Sequence, residues 1–189
     1  DLLLASDTDI IFNYDVDVVY PLSSYETGYK MITEGGYDAV YTFGCGIYQW
    51  AVSYDEPTFH KFLKSGFDAS VLNEKSTLQP SVMGWGQMIK RKVQIDAGMW
   101  NENFLSWGAE DCEFHYRIPA LGYNVGRIDD FVYHLEHSRT FNSHYNNPKF
   151  MDNHRLWQQI RTWDRDTLVQ YYSQQKYLKK RRNEINASV

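Results

Sequence analysis

The chain has 189 residues, 43% of them hydrophobic and 23% charged, with a net charge of −5. That composition belongs to a folded globular chain long enough to bury one sizeable core, and it excludes a disordered one. The acidic balance argues against a broad nucleic-acid footprint, and no apolar run approaches the ~20 residues a bilayer span requires.

Leu2–Ala5 is short and wholly apolar, and reads as the end of a buried strand. Nothing in residues 1–6 has the basic flank of a signal peptide. The run leads into Ser6-Asp7-Thr8-Asp9-Ile10-Ile11. Residues two apart on an extended chain project to one face, so Asp7 and Asp9 can point together. Their charges repel unless a cation lies between them, and a hard divalent ion shared with phosphates is the usual answer. A charged turn would carry the same residues. A second pair, Asp15-Val16-Asp17, follows closely and reads either as a rival metal pair or as a solvated loop.

Ser23 with Glu26 has the spacing of a capping box, and Leu22, Tyr25, Tyr29 and Ile32 lie near one helical face. Gly35-Gly36 should stop that helix, and residues 38–43 read as the next strand. Strand, acidic turn, helix and strand make a βαβ unit, which implies a parallel pair in an α/β sheet. Ligands of such sheets bind at the carboxyl ends of strands.

Residues 53–80 read as a long excursion with a short helix near 58–64. A strand is expected over 83–89, where Gly84 and Gly86 leave room for close backbone approach, then a helical turn over 90–97. A helix over 109–118 should turn Phe114 and Ile118 inward and end or kink at Pro119. Short strands are expected at 125–128 and 131–134. From Asn153 the chain reads as helical, with Leu156, Ile160 and Trp163 on one face and Leu168 and Tyr172 on a second segment. The run Lys179-Lys180-Arg181-Arg182 suits a solvated helix end. Cys45 and Cys112 form no C-x-x-C site and indicate no disulfide framework, which fits a reducing compartment such as the cytoplasm.

Two further groups carry chemistry. Trp107-Gly108-Ala109-Glu110-Asp111-Cys112-Glu113 sets three acids behind a W-G turn. The helix dipole favours acids in a first turn, but it does not account for the Trp and the small residues before them. A carboxylate beside an aromatic wall is well placed as a general base toward a hydroxyl. Tyr133-His134-Leu135-Glu136-His137-Ser138-Arg139 could bring two imidazoles to one site from a strand end. The 31 aromatic residues (6 Trp, 15 Tyr, 10 Phe) serve equally as a large core and as flat surfaces for sugar rings.

The order of these parts, S-D-x-D, a glycine-containing strand, W-G-x-E-D and H-S-R, resembles the metal-dependent glycosyltransferases of the GT-A fold. The resemblance runs over residues 1–150, and it is nearest to the β-1,4-galactosyltransferase and chondroitin-polymerase-like types. It implies an α/β fold with a mixed sheet flanked by helices and lacking the first βα units, with 151–189 as a helical C-terminal extension. It implies a Mn²⁺ (or Mg²⁺) cofactor, a UDP-sugar donor and a glycan acceptor, and inverting transfer. By resemblance, Asp9 binds the metal with His137 and His134, and Asp7 faces the donor. Asp111 is the base. Glu110, Trp107, Gly108, Gly84, Trp85 and Gly86 hold the acceptor and donor sugars. The family pattern favours Asp7 and Asp9 over Asp15 and Asp17, because the leading serine and the two following apolar residues match. Ala109 stands where the family has a second glycine, and Cys112 where it has an acid. A nucleotidyltransferase and a non-catalytic sugar-binding domain are the alternative readings.

Overall fold

A computed structural model describes residues 2–53, 55–81 and 83–187, with side chains through residue 181. In chain order the elements are α1 (Leu2–Ala5), β1 (Ile10–Tyr14), β2 (Val18–Val19), α2 (Leu22–Thr33), β3 (Ala39–Tyr41), β4 (Gln49–Val52), α3 (Glu56–Lys64), a 3-10 segment (Ala69–Lys75), β5 (Ser76–Gln79), β6 (Gly86–Lys90) and α4 (Arg91–Asp96). Then come α5 (Glu110–Ala120), β7 (Val125–Arg127), β8 (Val132–Leu135), a 3-10 turn (Phe141–Ser143), α6 (Pro148–Ile160), α7 (Arg165–Ser173) and α8 (Lys176–Ala187). The protein is mixed α/β, as expected, with two mixed four-stranded sheets ordered β1-β6-β3-β7 and β2-β8-β4-β5. Among the described residues no helix is long and apolar enough to cross a membrane.

The chain forms two compact units. One comprises residues 1–11, 90–123 and 139–189; the other comprises 12–89 and 124–138. The helices from Pro148 onward belong to the same unit as α4 and α5, so no unit boundary falls at residue 150.

The helical unit is organised around a buried ion pair. Arg117 on α5 is fully buried and donates through Nε to Glu113 Oε1 (2.8 Å). It also donates to the carbonyls of Ala97 and of Met99 (2.7 Å). Tyr172 on α7 donates to the same Glu113 oxygen (2.6 Å), and its ring lies 4.3 Å from the guanidinium carbon. Burial opposes the Arg117 charge, but Glu113, Tyr172 and Tyr177 together more than offset it, and the guanidinium stays above its ordinary pKa. Leu3, Met99, Phe104, Ile160, Leu168 and Leu178 pack around this network. Leu156 and Trp163 join from α6 and the loop after it, on the face the spacing predicted. Of the basic run, Arg181 reaches Glu102 (3.3 Å), while the Arg182 side chain lies outside the described ones.

Two small clusters of buried side chains are described in the sheet unit. Val18, Tyr20, Tyr41, Phe43 and Val132 form one; Val52, Phe62, Ala69, Leu72 and Tyr133 form the other. β3 pairs in parallel with β7 and antiparallel with β6; β4 pairs in parallel with β8 and antiparallel with β5.

Several expectations are corrected. Leu2–Ala5 is a helical turn, and the strand is Ile10–Tyr14, whose five residues outlast the four-residue apolar run before the first aspartate pair. The expected βαβ pair does not form: β2 and β3, which flank α2, belong to different sheets, and β6 lies between β1 and β3. No capping box forms: α2 starts after Pro21, and Ser23 and Ser24 donate instead to Asp130 Oδ2 (3.3 and 2.8 Å). Its buried face is Ser24, Gly28 and Ile32, while Leu22 and Tyr29 are exposed, because small residues allow close packing on Met88 and Thr42. The excursion over 53–80 holds a strand, β5, that hydrophobic patterning did not show.

Removing one member of a fully buried ion pair leaves the other charged and unpartnered, at a cost of roughly 3–5 kcal/mol. Glu113→Gln should therefore lower unfolding free energy by about that amount in urea titration. An unchanged midpoint would show that the Arg117 network is not what holds α5 to α7.

Candidate metal centre

The turn after β1 carries the second aspartate pair, Asp15-Val16-Asp17. Its backbone is tied on both sides: Asp15 N donates to the Trp85 carbonyl (3.4 Å), and the Asp17 carbonyl accepts from Leu135 N (2.8 Å). The chain then enters β2, which pairs with β8 so that Val18 lies opposite His134 and Val19 opposite Tyr133. This register brings Asp17 to the end of the histidine strand.

Asp17 Oδ2 lies 2.7 Å from His137 Nε2 and 3.5 Å from His134 Nε2. The other ring nitrogens are already engaged. His134 Nδ1 lies 2.8 Å from Glu136 Oε1, and His137 Nδ1 lies 3.0 Å from the Ser138 carbonyl. A carboxylate and a carbonyl only accept, so Nδ1 donates on each ring; Asp17 also only accepts, so His137 Nε2 donates to it at 2.7 Å and this ring is an imidazolium. Loss of that second proton would leave the Nε2 atoms of both rings facing the carboxylate. Asp17, His134 and His137 place one ligand atom each within 4.8 Å of one another. Such a set repels itself unless an imidazole takes a second proton or a cation enters. Asp17 Oδ1 is buried without a hydrogen-bond partner, which leaves an acceptor to be satisfied. Two imidazoles and a carboxylate suit Mn²⁺ and its neighbours, and Glu136 and Ser138 hold the rings as outer-shell partners do.

Trp85 braces the centre. Its ring lies 4.4 Å from the His134 ring at 33°, and its Nε1 donates to Gln49 Oε1 (3.0 Å). Gly86 is buried, and a Cβ there would come within 2.5 Å of Tyr20 Oη. The room that glycine leaves is thus filled by protein rings. Gly84 is half-buried ahead of β6.

The structure therefore unites His134 and His137 but joins them to Asp17. Asp7 and Asp9 are exposed, precede β1 rather than follow it, and are not members of the cluster. Sequence reasoning carried Asp17 only in the rival pair and ranked it below Asp9, because the strand was placed too early. The apolar, β-branched Ile10-Ile11-Phe12 ahead of Asp15 was the signal available.

The W-G turn lies in the helical unit. Ser106, Gly108 and Ala109 all have positive φ (65°, 125° and 67°), and a Cβ on Gly108 would come within 2.7 Å of Phe150. Asn153 clamps the loop through the Leu105 amide and carbonyl (3.1 and 3.0 Å). Trp107 stacks on Phe150 (5.5 Å, 20°), meets Tyr145 edge-on (5.3 Å), and has the Arg139 guanidinium 5.3 Å from its ring centre. The three acids part company. Glu113 is buried on Arg117, as described. Glu110 Oε2 accepts from Gly108 N (2.6 Å), and burial raises its pKa. Asp111 is half-buried in the first turn of α5. Cys45 and Cys112 are both free thiols.

Comparison with protein-family models and with curated proteins returns no match to this chain.

The Ser138 carbonyl first, and then Asp17, raise the His137 pKa above its usual value. In the metal-free protein the charged contact stabilises below the ordinary imidazole pKa and is lost as pH rises through the raised one. A metal needs the same Nε2 lone pair, so Mn²⁺ affinity should rise over that window. Calorimetric Mn²⁺ titrations between about pH 5 and 8 should show it, and a flat profile would exclude His137 as a ligand.

Proposed function

We propose that the chain is a metal-dependent, inverting glycosyltransferase. It moves a hexose or N-acetylhexosamine from a nucleoside diphosphate sugar, UDP-linked by resemblance, to a glycan hydroxyl. One observation carries this reading: two imidazole Nε2 atoms and a carboxylate with a buried, unpartnered oxygen converge at the turn that follows β1. Asp17, His134 and His137 would hold Mn²⁺ or Mg²⁺, which as a Lewis acid neutralises a diphosphate leaving group. Glu136 keeps the His134 proton on Nδ1 and so keeps Nε2 available. Trp85 fixes the ring plane from the side. On the acceptor side, Asp111 takes the hydroxyl proton as general base. Glu110 shapes the W-G turn through Gly108 and offers its second oxygen to the acceptor. Trp107 supplies an apolar wall to a sugar ring.

Asp17→Asn keeps the size of the side chain and removes its charge. Mn²⁺-dependent UDP binding, measured by calorimetry, should fall by at least about tenfold in this variant. Asp9→Asn should leave it unchanged. Full binding in Asp17→Asn would remove the metal centre from the reading.

Asp111→Asn should lower kcat by about 10²–10⁴-fold, the usual worth of a general base, with UDP affinity intact. Glu110→Gln should act on acceptor KM as well as kcat, since its contacts are partly made in the ground state. Near-normal turnover in Asp111→Asn would leave Asp111 as a helix-start charge only.

A further inference from the structure

Beside the metal centre the sheet unit holds a cleft of about 540 Å³, within the range of small-molecule sites. It opens past the carboxyl ends of the parallel strands β4 and β8, where α/β sheets place ligands. Val16, Val52, Phe59, Leu72 and Leu135 give it apolar walls, Ser53, Asp55 and Thr58 also line it, and it includes Asp17, Glu136 and His137 of the cluster region. The excursion over 53–80 supplies much of one side, and the proposed reaction gives that segment no task.

The backbone of the cleft is already satisfied. Val52 O accepts from Glu136 N (2.8 Å), Ser53 N donates to Lys75 O (3.0 Å), and Leu135 N donates to Asp17 O (2.8 Å). Thr58 N is taken by the Asp55 carboxylate (2.9 Å), and Phe59 N by the Asp55 carbonyl (2.9 Å). Apart from the Ser53 hydroxyl and the Asp55 and Glu136 carboxylates, little is left to read the polar edge of a nucleobase or the hydroxyls of a sugar. Hydrocarbon walls beside a cation site select one kind of ligand: an anionic head on an apolar tail.

We infer that this cleft binds the alkyl portion of a phosphate ester whose phosphate is drawn to the Asp17–His134–His137 centre. The inference rests on the metal reading above and adds a substrate class to it: one of the two substrates carries a hydrocarbon tail. Burying a methylene favours binding by about fourfold.

The test is calorimetry on the full chain with Mn²⁺ present, using methyl, butyl and octyl phosphate below micellar concentration, with UMP alongside. Affinity should climb by about fourfold per methylene until the cleft is full, and octyl phosphate should exceed UMP. Ser53 is exposed on the cleft wall, so Ser53→Trp should fill the cleft at little cost to folding. It should abolish the chain-length dependence while leaving Mn²⁺ and methyl phosphate binding unchanged. Equal affinity for methyl and octyl phosphate overturns the inference, as does tighter binding of UMP. So does a chain-length dependence that survives Ser53→Trp, which would place the tail elsewhere. If Mn²⁺ itself fails to bind, the metal reading falls first; if Mn²⁺ and UDP bind normally without chain-length dependence, only the cleft assignment is lost.

Discussion

The sheet unit depends on a conflict of charge. His137 Nε2 lies 2.7 Å and His134 Nε2 3.5 Å from one Asp17 oxygen, while both Nδ1 protons are turned outward to Glu136 and the Ser138 carbonyl. With both rings neutral in that tautomer, nothing between these atoms would donate. Proton uptake by His137 relieves part of the conflict, and its raised pKa reflects that. Asp17 Oδ1 stays unpartnered all the same. A divalent cation would satisfy all three groups together, which is why the cluster carries the functional reading.

Backbone register enforces the conflict. Two residues of β2 pair with β8, and that short ladder sets Val18 against His134. A one-residue slip would turn His134 to the opposite face of the sheet and take it from Asp17. Val18, Tyr133 and Val132 are all buried, so the slip would also expose core side chains. Trp85 is held by Gln49 on β4 and braces the ring from β6's leading edge. The geometry of the cluster is thus a by-product of ordinary hydrophobic registration, and it needs no strained backbone at the cluster itself.

What the sequence disclosed follows from which forces are local. Periodicity placed α5, α6 and α7 and their inward residues, because Phe114, Ile118, Ile160 and Leu168 repeat at helical spacing. The two histidines were legible as a pair because they flank one strand end. The choice of aspartates was not. Leu2–Ala5 and Ile10-Ile11-Phe12 are both short apolar runs, and periodicity cannot separate a strand from one turn of helix at that length. Residue type favoured the second, since isoleucine and phenylalanine suit strands better than leucine and alanine. The order of strands was hidden because β6, far along the chain, enters the sheet between β1 and β3, while β2 joins the other sheet. β5 was hidden because Ser76–Gln79 is polar and largely exposed, an edge strand held by its ladder to β4 rather than by burial.

The three acids behind the W-G turn show why residue type alone cannot assign a base. The helix dipole favours a negative charge at Glu110, Asp111 and Glu113 alike. Packing then divides them. Glu113 is spent on Arg117 and Tyr172, and its two oxygens are occupied in the core. Glu110 folds back onto Gly108, and burial favours its neutral form, so a base at this position would give up the amide that holds the turn. Asp111 lies on the same first turn but is neither enclosed like Glu113 nor bent back onto Gly108. A general base must be reachable, ionised before it acts, and free to accept a proton without dismantling its support. Asp111 is half-buried, and the left-handed residues Ser106, Gly108 and Ala109 turn the chain sharply into the helix on whose first turn it lies, which is the geometry the proposed base role would use.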